Sequence, residues 1–161
     1  MKKFFALFAA LLACLLSSVC SFAIQDPDAP GSKLVTVQVG ATPGFGGIVS
    51  GNVAMARLGS GHLYGGLQAG ANFSKGSYAS RTDFSLAPRV MVGFNLSQSF
   101  ELHFGALAGI AARKLDETYF QFCYGGFGGL RVKFSPSVSL IAEGYYSPHL
   151  SYASLGLGFT F

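Results

Sequence analysis

The 161-residue chain has no tryptophan, three cysteines and few charges, with Asp, Glu, Lys and Arg together at 11%. Each shortage excludes something. A soluble β-sandwich carries a solvated face rich in Lys and Glu, which so few charges cannot supply. No stretch reaches the ~20 apolar residues of a spanning helix; the longest apolar run, Phe4 to Leu16, is too short. Lys2 and Lys3 precede that run, and smaller residues follow it as far as Ser21 and Ala23. This is the pattern of a cleaved secretory signal peptide, residues 1–23, with cleavage after Ala23. Leu11, Leu12 and Ala13 before Cys14 also look like a lipoprotein signal, but the apolar run continues past Cys14.

Cleavage removes Cys14 and Cys20, so Cys123 stands alone and no intramolecular disulfide can form. It also reduces 11 basic residues to 9 against 7 acidic ones, a net charge of +2. The basic character is thus partly a property of the signal, and nucleic acid is not an expected partner. No metal site or cofactor site is visible.

Beyond the signal no segment holds a helical period. Apolar and polar residues instead alternate between turn signals, over about 34–40, 48–57, 62–73, 84–96, 99–113, 119–134, 137–146 and 150–161. Eight strands of ~10 residues use ~80 of the 138 remaining positions, too few for a sixteen-stranded pore. The expected turns alternate in character. Leu58–Gly61, Ser97–Ser99 and Ser135–Ser137 are tight. On the other side lie 41–47, 74–83, 114–118 and 147–149, of which only 74–83 exceeds a turn.

The final segment alternates most strictly. Ala153, Leu155, Leu157, Phe159 and Phe161 share one face, and Tyr152, Ser154, Gly156, Gly158 and Thr160 the other. An apolar face ending on a terminal Phe resembles the closing strand of bacterial outer-membrane β-barrels, in particular the small OmpA/OmpX or opacity-protein type. The resemblance covers about residues 34–161. It implies an all-β, eight-stranded antiparallel up-and-down transmembrane barrel, preceded by a short periplasmic segment, 24–33. It also implies Gram-negative-type outer membrane, lipid as surroundings, Phe161 as the signature read by the barrel-assembly machinery, and loop 74–83 as the place for a host or surface ligand.

Charges test the resemblance. Glu101, His103 and Arg113 oppose Phe100, Leu102, Phe104 and Ile110; Arg131 and Lys133 oppose Leu130, Val132 and Phe134. Arg89 opposes Val90 and Val92, and Glu143 opposes Ala142 and Tyr146. A cationic side chain facing lipid at mid-depth costs about 2–4 kcal/mol, so this register is strongly preferred over a one-residue slip. Arg89, Glu101, His103, Arg131, Lys133 and Glu143 are therefore expected to form a charge network in the lumen. Such a network is either a gate for ions or a self-satisfied filling, and an eight-stranded lumen is narrow enough to be plugged by side chains.

Phe127, Leu107 and Ile141 are also expected inside, an apolar patch that in OmpW-like barrels would suit a hydrophobic ligand. His149-Leu150-Ser151 is similar to the His-x-Ser of outer-membrane lipid A deacylases. Tyr152 stands where that family has Asn, however, and no acid follows to orient the histidine, so no catalytic residue is expected. The sequence thus implies an integral membrane protein with a structural or surface role, the alternative being a narrow channel for small solutes.

Overall fold

The computed structural model describes residues 27–41, 44–75, 80–114, 118–147 and 152–161. The expected signal peptide with Ala23 and Cys14, and the His149–Ser151 motif, lie outside these residues. Eight strands run β1 Lys33–Ala41, β2 Phe45–Leu58, β3 Gly61–Lys75, β4 Ser80–Asn95, β5 Phe100–Lys114, β6 Thr118–Lys133, β7 Val138–Tyr146 and β8 Tyr152–Thr160. Each pairs antiparallel with its neighbours, and β1 closes on β8, from Leu34↔Thr160 to Ala41↔Ala153. Paired positions climb by about ten residues per circuit, a stagger that accompanies a strand tilt of roughly 40°.

All eight expected strands are present; β1 to β4 are longer than expected, β5 and β6 match in length, and β7 and β8 are shorter. The largest difference falls on 74–83. The β3–β4 ladder continues to Lys75↔Ser80, so most of the expected long loop is strand. Its polar residues suggest loop because a ladder that projects beyond an apolar layer needs no greasy face. Ser97–Phe100 and Ser135–Val138 form the tight turns at the opposite end. Ser97 Oγ and Ser135 Oγ there each accept from a backbone N–H three residues on, at 3.1 and 3.0 Å.

One irregularity has a local cause. The β2–β3 register shifts between Ala54 and Ala56, leaving Met55 as the extra residue of a bulge. Its sulfur lies over Gly65 on the outer surface, where a Cβ would come within 2.6 Å of it. Alternation along β2 therefore reverses after Ala54, which period-2 counting does not detect.

The two faces differ sharply in chemistry. Val39, Phe45, Leu67, Val90, Phe104, Ile110, Phe122, Leu130, Tyr146 and Leu155 are among the large apolar side chains that point out and are exposed, and together they fall on all eight strands. The aromatic Phe84, Phe94, Phe100, Phe120 and Phe134 are exposed as well. Inside lie Thr36, Gln38, Ser50, Asn52, His62, Gln68, Arg89, Glu101, His103, Arg131, Ser139 and Glu143, all buried. The sorting is the reverse of a water-soluble protein, with grease outside and polarity within.

Candidate functional site

The lumen holds the six residues singled out from the sequence. The structure divides them into two groups. Near the tight-turn end, Glu101 and Arg131 are direct register partners of β5 and β6. Arg131 Nη1 donates to Glu101 Oε2 at 3.1 Å, and Lys133 Nζ lies 3.5 Å from the same oxygen. Arg131 also donates to Thr160 at 2.7 Å and to Ser139 at 3.2 Å, tying β6 to β7 and β8 across the lumen.

The second group sits deeper and centres on Glu143. Arg89 Nη2 reaches Glu143 Oε1 at 2.7 Å from the far wall, and His103 Nε2 lies 3.0 Å from the same atom. Gln38 donates to Oε2 at 2.8 Å, and the Tyr145 hydroxyl donates to it too. Four strands thus converge on one carboxylate. The Arg89 guanidinium lies 4.0 Å over the Phe127 ring, which in turn stacks on Tyr145 at 5.4 Å. The inward apolar residues are therefore partly covered: Phe127 packs beneath the arginine, while Leu107 and Ile141 are buried.

Glycine makes room for this crowding. A Cβ on Gly129 would meet Ala142 O at 2.2 Å, His103 Nε2 at 2.8 Å and Glu143 Cγ at 2.9 Å. Only the smallest residue lets His103 lie against β6 and still reach Glu143.

Sequence reasoning missed the most connected acid. Asp28 precedes β1, within the expected periplasmic segment 24–33, yet its side chain is 6% exposed and enters the tight-turn mouth. Lys133 Nζ donates to Asp28 Oδ2, Asn95 Nδ2 does so at 3.1 Å, and Tyr64 OH donates to Oδ1 at 3.2 Å. Arg131 Nη1 and His62 Nε2 stand at 3.5 and 3.7 Å. Burial pushes the Asp28 carboxyl up, but the hydrogen bonds of Lys133 and Asn95 and the charges of Lys133 and Arg131 outweigh it, holding it below the ordinary aspartate range. Because Asn95 Oδ1 accepts from Lys133 at 3.0 Å, its nitrogen must face both Asp28 and His62, so His62 Nε2 accepts. The turn signals Pro27, Pro30 and Gly31 mark the segment in the sequence, but nothing there assigns its acid a partner.

A third ionic group lies toward the other end. Asp83 accepts from Arg81 at 2.6 Å and from Arg113 at 3.0 Å. On β4–β6 the small or apolar Ala87, Leu107, Ala111 and Cys123, all buried, separate it from Arg89 and Glu143. Among the described residues no cluster of three or more His, Cys, Asp or Glu could hold a metal ion.

Among the described residues, five buried polar atoms make no hydrogen bond: Asn52 Oδ1, His62 Nδ1, Arg89 Nε, Glu101 Oε1 and His103 Nδ1. Two of them, on Glu101 and His103, belong to residues two apart on the inner face of β5.

No protein-family description and no curated protein sequence matches the chain. Solved structures do. A designed transmembrane β-barrel aligns at TM-score 0.58 and 16% identity, over 83% of this chain and 98% of that one. Neisserial surface protein A aligns at 0.55 and 14%, over 81% and 95%. The N-terminal barrel domain of Pseudomonas aeruginosa OprF aligns at 0.55 and 16%, over 82% and 98%. With eight antiparallel strands, a closed wall and a polar interior, the chain has the fold of the small transmembrane β-barrels.

Proposed function

We propose that this protein is an integral outer-membrane barrel with a structural or surface role, exported by its signal peptide and inserted by recognition of the strand that ends at Phe161. The observation that carries the reading is the paired, buried interior. Glu101 is 0% exposed and Arg89, His103 and Arg131 are each 2% exposed, so the charges that could line a pore face one another instead. Ion pairs that satisfy each other fill space without attracting a solute. Among the described residues of this interior none is an activated nucleophile, and the reading is of a non-enzyme. The nine-residue strands β1, β7 and β8 suit a thin apolar layer, about 9–11 tilted residues being enough to cross it.

A narrow channel is the second reading, favoured by the free polar atoms of Glu101, His103 and Arg89 along one side of the lumen. Purified protein tests both. The structural reading expects detergent-dependent solubility, a faster-migrating unboiled band and no steady conductance in planar bilayers. Solubility without detergent refutes the membrane assignment. Conductance that changes on Arg131→Ala selects the channel.

A further inference from the structure

Asp28 is bound like a ligand. Its carboxylate sits on four side chains from three strands: Tyr64 of β3, Asn95 of β4, and Arg131 and Lys133 of β6. The backbone beside it is tied to β2 and to its own turn. Gly31 N donates to Ala54 O at 2.7 Å and Ala54 N to Ser32 O at 2.9 Å, while Ser32 closes its own turn on Ala29 O. Gly31 turns the chain inward at φ +94°, a conformation that residues with a Cβ rarely adopt. Without Asp28 the mouth would present Lys133 and Arg131 against Glu101 alone, an excess of one positive charge. Lys133, Asn95 and Tyr64 would still aim their donors at one point.

We propose that the tight-turn mouth is a binding site for a small carboxylate anion, kept occupied by Asp28, so that residues 27–32 form a displaceable latch. The site is prebuilt, because its partners hold each other independently of Asp28: Asn95 bonds both His62 and Lys133, and Arg131 bonds Glu101, Ser139 and Thr160. A free carboxylate competes poorly with a tethered one, whose effective concentration is high. Access therefore requires that the latch leave.

The test uses the full chain in detergent micelles at pH 7, with thermal unfolding followed by the mobility of unboiled samples. Acetate is titrated against chloride at equal ionic strength. In Asp28→Ala, and in Asp28→Asn should the alanine variant fold poorly, near-saturating acetate is expected to raise the unfolding midpoint by about 3–6 °C while chloride does not. The wild type should show no such difference. Adding Lys133→Ala to the Asp28 variant should abolish the acetate effect. Equal responses to acetate and chloride in the variants, an equal acetate response in the wild type, or an undiminished one without Lys133 would each overturn the proposal.

Discussion

Glu143→Gln is the sharpest perturbation of the interior, since it removes a charge while keeping the shape of the side chain. Arg89 Nη2 sits 2.7 Å from Glu143 Oε1, with the two side chains 1% and 2% exposed. Breaking a buried pair by neutralising one partner leaves the other charge uncompensated, at a cost of about 3–5 kcal/mol. The variant amide can still accept one hydrogen bond, which places the expectation near the lower end, about 3 kcal/mol. At a urea dependence of roughly 2 kcal/mol per molar, the unfolding midpoint in lipid vesicles should fall by about 1.5 M. Arg89→Met alone should also destabilise, but combined with Glu143→Gln it should cost about 2 kcal/mol less than the two single losses added. A Glu143→Gln variant within about 1 kcal/mol of the parent would mean that water solvates Arg89. That result refutes the filled interior and favours a conducting lumen.

Three further outcomes follow from the geometry. Leu155→Arg, on the outer face midway along β8, should lower folding stability by about 2–4 kcal/mol in bilayers, as read by urea titration; no change would mean that this face does not meet hydrocarbon. Gly129→Ala should cost about 1–3 kcal/mol and reduce the folded, fast-migrating fraction, because the new Cβ meets the Ala142 carbonyl at 2.2 Å; an unchanged fraction would show that β6 and β7 can separate there. The folded Asp28 titrates below the ordinary aspartate range, so its stabilising contact is complete above that range and is lost as pH falls through the lower, folded value. The stability gap between wild type and Asp28→Asn should then stay constant from pH 7 to 5 and shrink below about pH 4; a gap that shrinks already at pH 6 would contradict the arrangement.

Much of the fold was legible because a barrel obeys a two-residue period strand by strand. The inward setting of Arg89, Glu101, His103, Arg131 and Glu143 follows from parity alone. Their partners do not. Parity places Glu143 level with Gly129 and near Arg131, whereas its ion partner is Arg89, reaching from across the lumen. Contacts across a lumen depend on side-chain reach and barrel stagger, and neither leaves a periodic trace. Asp28 illustrates the limit most plainly. It lies outside every strand, so alternation is silent about it, and only the inward turn at Gly31 brings it to Lys133. The bulge at Met55 reverses parity within β2, and the polar tips of β3 and β4 look like loop because their ladder extends past the apolar band.

The pairing of β1 with β8 means that this molecule has no smaller stable version. Withholding β8 would leave seven strands with two open margins, β1 and β7, each a row of amide and carbonyl groups without partners. Water can satisfy such groups, whereas hydrocarbon cannot, at several kcal/mol apiece. In the membrane setting proposed above, insertion must therefore be nearly all-or-none, with the seam between the most sequence-distant strands sealed before or during burial. Arg131 spans that same region by gripping Thr160 from β6, so the residue that balances Glu101 also helps fasten the last strand to the cylinder.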